Sequence, residues 1–259
     1  MNAAIALKRG ISAELYKFRR TFILWFLILG PAFIPVINLI IFLTRGEQVM
    51  ANGGNPWQMI LQFSIEPGNF LFPFFVMIVA LFVNSIEHNS NTWKLIYTQP
   101  LSRGVIYLSK VKVFTVMIFM SLMLFGIFSV LVGQIVGALK PDLGFDQAFD
   151  KSLFFSLPFK VFLMTMGYAS IQFWMSQRWK NLMLPLGIGI AGFISIMILA
   201  QGWKYAPYHP YGYQILGLGN VRDPEFQVWG NMEFVYRSLG LAVIIFLLGG
   251  VEKVRKRII

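Results

Sequence analysis

Cysteine is absent from the 259 residues, and histidine occurs twice. The first absence excludes disulfide scaffolds, thiolate metal sites and cysteine nucleophiles. The second leaves little for metal chemistry, which draws most often on imidazole. Charge is scarce as well: 13% of residues are Asp, Glu, Lys or Arg, against about 25% in an ordinary soluble domain. Acids are the scarcest, 11 beside 22 basic residues. A chain this poor in charge cannot dress a water-facing surface, which excludes a soluble enzyme. With 57% hydrophobic residues it is no disordered chain either. No Gly-x-x-x-x-Gly-Lys-Ser/Thr loop occurs, and no Gly-Lys dipeptide, so the chain cannot cradle ATP phosphates in that way. Paired carboxylates are missing from the apolar runs, which argues against a proton relay or an acid protease inside a membrane.

What the sequence does have is long apolar runs, reflected in a mean hydropathy of +0.66. A membrane-crossing helix needs about 20 mostly apolar residues. Six such stretches are predicted, over 22–43, 70–86, 113–136, 155–175, 182–200 and 236–251. The expected fold is therefore an all-α polytopic membrane protein, one domain over 1–259 with no repeat and no soluble module. Basic residues crowd alternate connections: Lys8, Arg9, Lys17, Arg19 and Arg20, then Lys94, Arg103, Lys110 and Lys112, then Arg178 and Lys180, then Lys253, Arg255, Lys256 and Arg257. Cytoplasmic segments hold such an excess, so both termini are expected in the cytoplasm and the chain in the cell membrane. The basic excess is thereby used for orientation, and nucleic acid is not an expected partner. On the same reading His88 lies inside and His209 outside, so the two cannot share a site.

The leader 1–21 carries Leu7, Ile11, Leu15 and Phe18 at helical spacing among charged residues. It reads as an amphipathic helix in the inner interface, the plainer alternative being a basic leader that only orients the chain. The connection Glu87–Lys112 is the longest inner one. Asn89, Ser90 and Asn91 stop the second span there, and a short helix follows with Trp93, Ile96 and Tyr97 on one face. Pro100 ends it, and Ser102 is placed to cap a helix running into the third span. The result is an elbow whose apolar face meets either headgroups or a partner. Long outer connections are expected over 44–69, 137–154 and 201–235, the last with short helices formed by its Pro and Tyr residues. Two polar residues fall inside spans. Lys160 either snorkels to the outer surface on its long stem or lines a translocation path. Gln172 either joins it or ties two helices together by hydrogen bonding.

The interfacial helix, six spans and long first inner loop resemble the permease subunits of ABC-2-type exporters, and within them the lantibiotic-immunity permeases. The residues carrying the likeness are Glu87, Asn91-Thr92-Trp93-Lys94, Pro100-Leu101-Ser102-Arg103 and Lys110. A second piece is Gln172-Phe173-Trp174-Met175-Ser176, then Lys180-Asn181 and Pro185, Gly187 and Gly189. The resemblance implies a transporter half whose motor, with its ATP and Mg, is a separate ATP-binding cassette subunit. This chain itself would bind no cofactor and no metal and catalyse nothing. It implies a second permease chain, identical or not, with membrane lipids around the pair. The segment 91–99 would be the coupling helix, and Glu87, Thr92, Trp93, Lys94, Ile96, Tyr97, Pro100 and Arg103 the residues that meet the ATPase. The cargo would be hydrophobic or amphipathic, an antimicrobial peptide in the immunity relatives. Two other classes compete: a membrane anchor or sensor that transports nothing, and an intramembrane enzyme.

Overall fold

The structure, a computed structural model, describes residues 3–51, 53–89, 101–147, 150, 152–218 and 227–255. Every regular element among them is helical: α1 (Ala3–Phe18), α2 (Phe22–Val49), α3 (Pro56–Asn89), α4 (Arg103–Leu139), α5 (Leu153–Arg178), α6 (Met183–Leu199), α7 (Tyr213–Gly217) and α8 (Glu233–Arg255), with three single-turn 3₁₀ segments. Helix starts are written in the sequence. The Asn55 side chain accepts from the Trp57 amide at 2.9 Å with Pro56 behind it, Ser102 accepts from Val105, and Asn181 and Asn231 serve α6 and α8 in the same way. These side chains satisfy amides that have no partner within the first helical turn. Ser102 caps the helix expected of it.

Five helices, α2, α3, α4, α5 and α8, are long and apolar enough to cross a membrane, and α6 is a shorter apolar helix of 17 residues. Three boundaries differ from the sequence reading. The second crossing begins at Pro56 rather than at 70, so 44–69 is no long connection and Trp57 is a buried helical residue. Pro67 and Pro73 lie inside α3, in a setting where neighbouring helices can satisfy the carbonyls that a proline frees. Helix α2 runs on to Val49, bending where Arg45 leaves helical geometry. Helix α4 spans 37 residues, about 55 Å, because the elbow's second half and the third span form one helix.

The two ends of the bundle differ. At one end lie α1, the start of α4, and the ends of α5 and α8, since Gly10 meets Ser109, Gly104 meets Val254 and Arg178 pairs with Glu252. This is called the terminal end below. At the far end the chain leaves α6 and folds back through two proline-initiated turns and α7, the short helices expected between 201 and 235. Tyr211 stacks on Tyr168 at 5.4 Å, which packs this cap onto α5. Helices α4 and α5 approach closely at Gly126 of α4, where an added Cβ would stand 2.4 Å from the Phe154 carbonyl oxygen of α5. Backbone cannot swing aside as a side-chain tip can. Gly126→Ala is accordingly expected to lower stability by about 3 kcal/mol, the upper end for overpacking, read as a fall in the thermal unfolding midpoint in detergent. An unchanged midpoint would show that α4 and α5 do not touch there.

Candidate functional site

At the terminal end, α1 lies against α4. Of the apolar stripe foreseen through Leu7, Ile11, Leu15 and Phe18, Phe18 is buried, Leu7 and Ile11 are half-buried, and Leu15 turns away. Ala6, Gly10, Glu14 and Phe18 face inward, and Leu15 is 52% exposed. The reason is an acid and a glycine: Gly10 lets the helix close onto Ser109, and Glu14 has cations to meet inside. After Phe18 the chain turns through Arg20, held in the left-handed region at φ 71°, and enters α2.

Glu14 belongs to a cluster of four charges. Lys110 of α4 donates to Glu87 of α3 at 2.6 Å and to the Val83 carbonyl at 3.1 Å. Lys17 of α1 reaches the same Glu87 oxygen at 2.7 Å and Glu14 at 2.5 Å, and Lys110 lies 3.4 Å from the other Glu14 oxygen. Glu87 and Lys110 are each 1% exposed. Two carboxylates and two ammoniums leave no net charge, the condition under which ions can be taken out of water at all. Burial opposes the charge on Lys17, but the Glu14 and Glu87 carboxylates outweigh it and raise the ammonium above its ordinary pKa.

The cluster brackets the elbow. Glu87 stands just before the segment 90–100 and Lys110 two turns into the helix that follows it. Glu87 itself, expected on the docking face, is buried beneath it. Thr92, Trp93, Lys94, Ile96, Tyr97 and Pro100 lie outside the described residues. Arg103 is the first residue of α4 and partly exposed. Beside the cluster, Asn84 donates to Ser176 at 2.7 Å, Tyr107 to the Phe246 carbonyl at 2.9 Å and Trp174 to Glu252 at 3.0 Å. These bonds join α3, α4, α5 and α8 at the same level. Together with the cluster, they hold α1, α3 and α4 as one braced unit.

Lys160 is 1% exposed in the protein, with no hydrogen-bond or ion-pair partner for its ammonium among the described residues. Gln172 is also buried, and its amide donates to the Pro185 carbonyl of α6 at 3.4 Å, tying two helices as the plainer reading held. The two are more than three helical turns apart on α5 and share no hydrogen bond. One pair was not foreseen: Ser195 Oγ lies 3.2 Å from His209 Nε2. Burial holds that imidazole below its ordinary pKa, but its Nδ1 has no partner among the described residues to orient it, and Ser195 also bonds to the Gly192 carbonyl. Without an orienting acid this is a structural tie between α6 and the cap rather than hydrolase machinery. Among the described residues no group of three or more His, Asp or Glu could hold a metal ion.

Compared with protein families, residues 10–196 match the model described as "ABC-2 family transporter protein". That stretch takes in the second half of α1, the charge cluster, the elbow and most of α6. No curated protein and no solved structure matches the chain.

Proposed function

Because the chain belongs to the ABC-2 family of transporter proteins, and is a multi-pass permease subunit working with an ATPase subunit, we propose that it is one half of an exporter. The cargo is a hydrophobic or amphipathic molecule moved out of the membrane or cytoplasm, and the likeness to lantibiotic-immunity permeases favours an antimicrobial peptide. The terminal end is the cytoplasmic one, in keeping with the basic residues gathered there, and the chain sits in the cell membrane. A second permease chain completes the pathway. ATP and Mg belong to the partner, and this chain carries out no catalysis of its own.

The observation that supports this reading is the buried charge cluster, in which Glu87, three residues before the segment 90–100, meets Lys110, ten residues after it, together with Glu14 and Lys17 of α1. Closure of the ATPase then rotates packed helices rather than bending a loop. Along the moving helices Lys160 is assigned to the translocation path, where an unpaired buried ammonium would greet an anionic or carbonyl group of the cargo. Gln172, more than three turns further along α5, contributes by keeping α5 and α6 together.

The test is affinity purification of the tagged chain from its own host membranes. The expected partner is a protein with a phosphate-binding loop, and ATP hydrolysis should appear only in fractions that contain it. Hydrolysis by the isolated chain, or recovery without any such ATPase, would overturn the reading and favour an anchor or sensor.

A further inference from the structure

Between α2, α3, α4 and α5 runs a cavity of about 440 Å³, closed at the far end by Gln214 and Leu218 of the cap region. It is within the range of small-molecule sites. Its walls are aromatic and aliphatic, with Phe26, Phe33, Phe72, Phe75 and Phe125 prominent, and four polar residues among them: Ser64, Asn69, Ser121 and Gln214. We propose that this groove binds one acyl chain of a diacyl membrane lipid, with the ester carbonyl of that chain held at Asn69.

The polar groups decide which end of a ligand goes where. Ser64 donates to the Ile60 carbonyl and accepts from Asn38, and Ser121 donates to the Leu27 carbonyl, so both hydroxyls are used by the protein. Gln214 receives the Tyr168 hydroxyl on its oxygen and donates to the Asn69 oxygen at 3.1 Å. That leaves the Asn69 amide nitrogen, in the wall of the groove, without an acceptor among the described residues. An amide donor in apolar surroundings calls for an acceptor, and in a groove otherwise made of hydrocarbon the acceptor must come with the ligand. A neutral carbonyl on a hydrocarbon chain has that chemistry.

The membrane supplies the occupant. The rim residues Leu29, Phe33 and Leu71 are exposed on helices that span the bilayer, so the groove opens onto acyl chains and not onto water. Its direction also fits. Asn69 and Gln214 lie toward the far end, whereas Phe26 and Ile78 lie toward the terminal end. A lipid of the far leaflet has its ester outward and its chain running to the midplane, in that order.

Photolabelling tests this with the full chain in lipid nanodiscs that contain a phospholipid bearing a diazirine on one acyl chain. Label is expected in the groove peptides of α2 and α3, above the level on the exposed face of α8 around Leu247 and Leu248. Gly68→Leu should remove the groove label, because a Cβ at Gly68 meets only Ile34 Cδ1 at 3.9 Å and the new side chain fills open space. Gly187→Leu, whose Cβ also meets nothing within 4 Å but which lies outside the groove, should keep it. Should Gly68→Leu fail to fold, Ile34→Trp blocks the same place from α2 and must also lose the label. Even labelling of groove and α8, or a groove label that survives both blocking variants, overturns the proposal. An ether-linked probe should label the groove less than its ester counterpart, and equal labelling overturns the assignment to Asn69. None of these outcomes depends on transport.

Discussion

Glu87→Ala is expected to lower stability by about 3 kcal/mol, because it takes from the buried Lys110 its nearest carboxylate, at 2.6 Å, and leaves Glu14 at 3.4 Å. Lys17 suffers less, since it keeps Glu14 and is partly exposed. The measurement is the thermal midpoint of the purified chain, and a wild-type midpoint would show that the cluster is not buried as described. Removing both members of the central pair separates structure from function. Glu87→Leu with Lys110→Met replaces two ions by apolar side chains of similar volume, an exchange that is often neutral or stabilising. Most of the stability should return in this double variant while export stays low, if the charges brace the elbow in a way that apolar packing cannot. Full recovery of export with stability would reduce the cluster to a packing device.

The second large effect concerns docking of the motor. Trp93→Ala with Tyr97→Ala should leave the chain inserted and abolish export. Aromatic anchors seated in a partner's pocket commonly contribute about 2 kcal/mol or more each. Two of them together correspond to roughly a thousandfold in affinity, at about 1.4 kcal/mol per tenfold. Recovery of the ATPase on the tagged chain is the readout. The control is Trp203→Ala with Tyr208→Ala, two exposed rings at the far end of the bundle, which should retain the ATPase. Equal recovery from the two variants would take the coupling role away from 91–99. It would instead leave those rings resting in the headgroups.

Much of the architecture was legible because apolar runs translate directly into spanning helices. Helices α5, α6 and α8 begin and end within a few residues of the predicted stretches 155–175, 182–200 and 236–251. The first half of α3 was misread because Pro67, Gly68 and Asn69 together look like a chain break. The signal that would have corrected it was Asn55-Pro56, a capping side chain followed by a residue suited to the first helical position. On α1, spacing alone selected the face with Leu15, because a pattern of apolar residues cannot register that a buried acid has partners elsewhere. The cluster itself was illegible for the same reason. Glu14 and Lys17 come from the leader, Glu87 and Lys110 from either side of the elbow, and no local rule joins residues so far apart. Scarcity was the available hint: in a chain with 11 acids, two placed beside apolar runs are expensive to keep unless something meets them.

The brevity of α6 has a consequence for the membrane around it. Seventeen residues give a rod of about 26 Å, against about 30 Å of hydrocarbon in an ordinary bilayer. Its neighbours α3 and α5 are longer and impose no such limit. Lipids touching the exposed side of α6, along Leu184, Ile188 and Ile198, must therefore compress or tilt, while those beside α4 need not. Such mismatch costs a fraction of a kcal/mol per Å, enough to pucker the bilayer on one flank only. Where α6 crosses the bilayer, the hydrocarbon on its flank is expected to be thinner than beside α4.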